Sequence, residues 1–154
     1  VAARVSELER LESGRFSGAR VYNSGNISIP TNLGTSLTFD SERFDTDGYH
    51  STSSNTDRLT VPVAGKYLIV GNARFASNST GIRGVTLLLN GTDVIALIFV
   101  GAASGNATVL NISAIYELAA GDYVLFRAYQ SSGGNLDVET ASNYSPEFMI
   151  ARLG

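Results

Sequence analysis

The chain has 154 residues, 44% hydrophobic and only 16% charged, with a net charge of −3 and no cysteine. That length suits one domain with its own core. The missing cysteines exclude a disulfide framework, thiolate chemistry and Cys-ligated zinc. Eleven basic residues, of which only Lys66 is a lysine, form no run, so nucleic acid, which needs a concentrated basic face, is not an expected partner. No apolar run is long enough to span a bilayer, and no membrane insertion is expected. The charge content, below the usual ~25%, fits a protein that hides part of its surface against copies of itself.

Taken in order, Val1, Val5 and Leu8 stand at the 4-3 spacing of a coiled-coil seam, with Glu7, Glu9, Arg10 and Glu12 on its flanks. Less than two heptads is too short to be stable alone. The stretch 1–14 therefore reads as the end of a stalk, stopped by Gly14, and 15–154 as a single head domain. From Arg15 onward the pattern is all-β, with turn residues every eight to twelve positions, the spacing of a sandwich or jelly roll. Strands are predicted at Ala19–Asn23, Asn26–Ile29, Thr35–Asp40, Arg58–Pro62, Lys66–Ser77, Gly84–Leu89, Thr92–Val100, Ala107–Leu118, Tyr123–Gln130, Leu136–Thr140 and Glu147–Leu153. Asn90-Gly91 is a two-residue hairpin signal.

Three of these strands carry apolar residues in both alternating sets. Between Lys66 and Ser77, Tyr67, Ile69, Ala73 and Phe75 oppose Leu68 and Val70. Leu110, Ile112, Ala114 and Tyr116 oppose Val109 and Ile115. Phe148 and Ile150 oppose Met149, Ala151 and Leu153. A strand with one wet face should alternate apolar with polar, and a two-sheet domain has its core on one side of each sheet only. The second face needs another cover, and a neighbouring copy of the chain is the natural candidate. We expect Tyr67, Ile69, Phe75, Phe148 and Ile150 to face the axis of that assembly, continuing the seam of Val1, Val5 and Leu8.

A series of segments then resembles a known family. Phe44-Asp45 is followed by Thr60-Val61-Pro62-Val63-Ala64-Gly65-Lys66-Tyr67, by Leu87-Leu88-Leu89-Asn90-Gly91, by Gly121-Asp122-Tyr123-Val124-Leu125-Phe126, and by Phe148 to Leu153. In this order they resemble the C1q/tumour-necrosis-factor-like jelly roll over roughly 16–154. No collagen-like stalk is visible. The segment 44–50 with 55–60 is also similar to C1q-like domains of bacteriophage tail and virion proteins. The resemblance implies a two-sheet jelly-roll sandwich that forms a homotrimer, carried on a stalk and binding ligands through its outer loops. It further implies a non-enzymatic virion or extracellular-surface protein. A tail-fibre or receptor-binding head that attaches to a host carbohydrate or protein comes first. A capsid decoration protein contacting other virion proteins, or a bacterial adhesin of the same fold, is the alternative.

Chemistry is sparse. The single histidine, His50, sits in a Ser/Thr-rich loop and is expected to be exposed. Neither a nucleophile elbow nor a phosphate loop is present. Asp40, Glu42, Asp45 and Asp47 form the one acidic group. Asp45 and Asp47 are candidate ligands for Ca²⁺, which takes six to eight oxygens, although the terminal Glu of a complete calcium loop is missing; no other cofactor is expected. Tyr49, Tyr129 and Tyr144, at loops or strand ends, are candidate ligand contacts.

Overall fold

The computed structural model describes residues 14–154; the stalk seam of Val1, Val5 and Leu8 lies outside the described residues. Twelve strands follow in chain order: β1 (Gly18–Tyr22), β2 (Ile27–Ile29), β3 (Thr35–Ser36), β4 (Ser41–Asp45), β5 (Arg58–Thr60), β6 (Gly65–Phe75), β7 (Ile82–Leu89), β8 (Asp93–Gly101), β9 (Thr108–Leu118), β10 (Tyr123–Gln130), β11 (Leu136–Val138) and β12 (Glu147–Arg152). No helix occurs among the described residues. All strand pairs are antiparallel and form two sheets. The larger runs β2-β11-β6-β12-β1-β4, with β9 on the other edge of β6; the smaller runs β3-β10-β7-β8, with β5 also on β10.

Eleven of the twelve strands coincide with predicted ones. The exception is β4, Ser-Glu-Arg-Phe-Asp, whose charges hide it from an alternation test. It is an edge strand paired with β1 through a bulge between Arg20 and Val21, and charged residues are what an edge strand uses to discourage further pairing.

β6 is the spine. It pairs with β9 over its full length, Gly65↔Leu118 to Phe75↔Thr108. Its other edge takes β12 from Tyr67 to Asn72 and β11 at Phe75. Its inward set, Tyr67, Ile69, Gly71, Ala73 and Phe75, is buried against the small sheet. Phe148 sits at the centre, with ring centroids 5.6 Å from Phe39 and 5.7 Å from Phe126. Gly71 makes room for this group, because a Cβ there would lie 2.8 Å from the Phe126 ring.

Buried polar groups close the end of the sandwich near Phe75. Gln130 donates to the carbonyls of Ile29 (2.8 Å) and Gly134 (2.7 Å). Arg83, fully buried, donates to the carbonyls of Asn78 (2.7 Å) and Thr80 (2.9 Å). Chain carbonyls thus replace the water that a buried polar group cannot do without.

The Gly71→Ala variant should lose about 1–3 kcal/mol, the usual cost of overfilling a packed core. Its urea midpoint should fall, with the fluorescence of the surrounding aromatics reporting the same transition.

Candidate functional site

The three strands with apolar residues in both sets, β9, β6 and β12, are neighbours in the large sheet. Which set faces outward is the reverse of the sequence expectation. Tyr67, Ile69, Phe75, Phe148 and Ile150 are all at most 2% exposed and belong to the chain's own core. They fill the space between the sheets, so they cannot meet a partner. The opposite set points out: Leu68 and Val70 on β6, Val109 and Ile115 on β9, Met149 and Ala151 on β12. Ile115 is 64% and Val109 51% exposed.

This outward face divides along the strands. Towards the Lys66 end it is apolar, with a hollow of about 210 Å³ among Phe16, Phe44, Leu68, Val70, Met149 and Ala151. Phe16 and Phe44 meet edge to face at 5.7 Å. Towards the Arg74 end it is polar. Glu147, 1% exposed, accepts Arg20 Nε at 2.7 Å, Arg43 Nε at 3.0 Å and Arg43 Nη2 at 2.9 Å. Three charge-assisted bonds offset the desolvation of this carboxylate, and Glu147 holds the Arg43 guanidinium more firmly charged. Arg43 also lies 4.1 Å above the Tyr22 ring. Arg74 donates to Glu139 (3.1 Å) and to the Tyr144 hydroxyl (3.0 Å), and Asn111 donates to Asn72.

A second apolar surface lies on β8 and β9, the strands at one side of the sandwich. Val94 (58% exposed), Leu97 and Phe99 stand on the outer side of the small sheet, and the Phe99 ring crosses Gly84. Tyr116, between the partly buried Ala114 and the buried Leu118 of its set, is 40% exposed at this edge.

The tyrosines expected at a ligand do not converge. Tyr49 is 2% exposed. Its ring meets Tyr67 edge-on at 6.3 Å and its hydroxyl lies 2.6 Å from Ser17 Oγ, so its side chain belongs to the core, while the residue also borders the polar hollow beside His50. Tyr129 bonds Asn32 on the small sheet and packs edge-on to Phe99, whereas Tyr144 serves Arg74 on the other sheet.

The acidic group is also committed to protein donors. Asp45 accepts the backbone N–H groups of Tyr49 and His50, both at 2.9 Å. Asp47 accepts Ser17 Oγ, Thr46 Oγ1 and Arg15 Nη2; the Ser17 and Thr46 hydroxyls, followed by Arg15, hold its carboxyl below the ordinary range. Asp40 is lowered in the same way by Ser24. Asp45 and Asp47 therefore shape the loop through these hydrogen bonds. Among the described residues no three His, Asp or Glu side chains gather as a metal site.

His50, expected to be exposed, has a fully buried side chain. It forms one wall of a polar hollow of about 250 Å³, with Ser51, Ser54, Asn55, Arg58 and Thr60. The burial was illegible in sequence because it depends on Glu42 of β4, the strand that alternation missed.

With this geometry in hand, similarity to known proteins is informative. No protein-family model matches the chain. In sequence it is 34% identical over 125 residues to the uncharacterized protein L688 of Acanthamoeba polyphaga mimivirus, covering 77% of this chain and 52% of that protein. The chain thus spans about half the length of that relative. In structure it resembles murine APRIL at pH 8.0 (TM-score 0.68, 13% identity, 90% of this chain and 100% of that one). It also resembles Eiger TNF of S. frugiperda (0.63, 15%, 90% and 93%) and the globular domain of zebrafish complement 1qA (0.59, 14%, 88% and 93%). These likenesses show the fold: the chain is an all-β, two-sheet sandwich of the TNF/C1q type. The jelly-roll resemblance read from the sequence holds at that level.

Tyr67 supplies a pH test of its assignment to the core. Its hydroxyl donates to the carbonyl of Val63 at 2.7 Å, and burial, reinforced by Tyr49, pushes its phenol from 10.0 up to about 12. The unfolded chain would release this proton near pH 10 and the folded chain near 12. Stability present below pH 10 should therefore decline as pH rises from 10 towards about 12. Tyr67→Phe should lack that part of the decline when alkaline melts of the two proteins are compared.

Proposed function

We propose that the chain is the non-enzymatic head of a homotrimeric virion-surface protein that attaches to a ligand on a host surface, carbohydrate or protein. The single observation that carries the reading is the outward apolar half of the large sheet, contributed by three adjacent strands and left uncovered by the described residues. An apolar surface of this kind marks an interaction site. A closed ring of three copies needs two unlike patches that fit each other. The hollow beside Leu68 and Val70 is one such patch, and the apolar β8–β9 edge is a second. The TNF/C1q fold favours the same assembly, and the mimivirus relative favours a viral setting. His50, whose two ring nitrogens are both engaged, offers no free base for a catalytic triad.

Light scattering should give three chain masses for the wild type. Leu68→Asp and Val70→Asp each place a charge on the outward face and should give folded monomers, with the β-sheet circular dichroism kept. Ile69→Asp, between them and pointing inward, should fail to fold. A monomeric wild type, or trimers in both outward variants, would overturn the assembly. Labelled trimer should bind washed host cells; binding only to purified capsid shells would instead assign a decoration role.

A further inference from the structure

The loop between β4 and β5 holds a buried side chain whose hydrogen bonds need one more proton than a neutral histidine carries. His50 Nε2 lies 3.1 Å from the carbonyl oxygen of Thr56, and Nδ1 lies 2.8 Å from Glu42 Oε2. Both neighbours are acceptors. A neutral imidazole has one N–H and one lone pair, so in that form one ring nitrogen would face an oxygen with no proton between them. The Thr56 carbonyl also accepts the N–H of Phe39 at 3.0 Å, which ties it to the chain just before β4 and leaves it no role but acceptor.

The other charged groups around the ring do not supply that proton. Asp45, also from β4, accepts the backbone N–H of His50 and not its ring. Asp57 is engaged by Arg58 Nε at 3.0 Å at the start of β5. Asp40 is turned to Ser24, and Asp47 to Ser17 and Arg15. Tyr49 turns its hydroxyl to Ser17. Glu42 is thus the one ionisable group on the ring, and its side chain is 30% exposed against zero for His50.

We propose that His50, protonated on both nitrogens between Glu42 and Thr56, is a proton-operated latch that fixes the 46–57 loop and the polar hollow it lines, and that loss of the proton frees the loop. The imidazolium joins three points of the chain: residue 42 on β4, residue 50 at the start of the returning loop, and residue 56 at its end. Without the proton, either the Glu42 contact or the Thr56 contact becomes a lone pair against an oxygen. A contact with no proton in it is disfavoured, and it is relieved when the part-exposed Glu42 carboxylate turns to water or the loop draws away from the ring, either of which unties residues 42, 50 and 56. The latch therefore holds while the ring carries both protons and opens when one is lost. The latch lies within one chain and does not rest on the trimeric reading.

One histidine in the chain makes the test direct. In protein labelled with ¹⁵N-histidine, long-range ¹H–¹⁵N correlation at pH 6 should show both ring nitrogens protonated; a single neutral tautomer would overturn the proposal. Amide exchange then separates the latch from general base catalysis of exchange, with the β6 amides as the internal reference. Between pH 6 and 8.5 the 46–57 amides of the wild type should lose about tenfold or more of their relative protection, the scale of one charge-assisted bond. Glu42→Gln supplies an amide N–H to Nδ1 while Nε2–H still reaches Thr56, so a neutral ring is fully satisfied and the loss should vanish. Equal losses in both proteins, or none in the wild type, would overturn the latch. Should Glu42→Gln not fold, the ring-nitrogen measurement on the wild type decides alone.

Discussion

The structure depends on one constraint: a sheet has two faces, and the described residues cover only one face of the larger sheet. β6 enforces the division. Every second residue from Tyr67 to Phe75 is drawn into the space between the sheets, where Phe39, Phe126 and Phe148 stack around the gap left by Gly71. The pleat then obliges Leu68 and Val70 to point the other way. Because β9 and β12 are in register with β6 on its two edges, their outward residues fall beside these and extend the patch. The core and the outward face are thus one decision, and a one-residue slip of register would exchange them.

The same alternation sets how far the outward face stays apolar. Beyond Val70 the outward positions of β6 are Asn72 and Arg74, and the buried carboxylate of Glu147 lies between Arg20 and Arg43 alongside. An apolar half and a polar half on one face give an assembly both adhesion and direction. The apolar part gains by leaving water, and the polar part, already satisfied within the chain, penalises any packing that would strip its ion pairs. For a ring of copies this matters, since a uniformly apolar face would permit several registers.

Much of the fold was legible because strands and turns are local. Asn90-Gly91, with both residues at positive φ, closes the β7–β8 hairpin, and the alternation of β6, β9 and β12 identifies them as strands of a shared, doubly apolar sheet. What was illegible depends on contacts distant in sequence. Glu147 reads as the polar start of a strand until Arg20 and Arg43 are placed beside it. Arg83 owes its burial to the carbonyls of Asn78, Thr80 and Ile82 that fold over it. Tyr49 and His50 read as loop residues because their burial is built by Ser17, Asp45 and Glu42, and the strand carrying the two acids is itself disguised by its charges.

The inverted assignment of the outward set had a signal that alternation alone overlooks. A core face must be apolar from end to end, since any polar group within it would need a buried partner. A face that meets another copy need be apolar only as far as that copy reaches. On β6 the set of Tyr67, Ile69, Gly71, Ala73 and Phe75 never turns polar, whereas Leu68 and Val70 give way to Asn72 and Arg74. On β9 the set of Leu110, Ile112, Ala114, Tyr116 and Leu118 is polar only at the strand's first residue, Thr108, whereas Val109 and Ile115 are interrupted by Asn111 and Ser113 and followed by Glu117. On both strands the set that stays apolar through the strand interior is the one that faces the core. On these two strands continuity, more than size or aromaticity, separates the faces. In the proposed trimer the broken set would mark the extent of the patch that another copy covers, with Leu68 and Val70 at its apolar end.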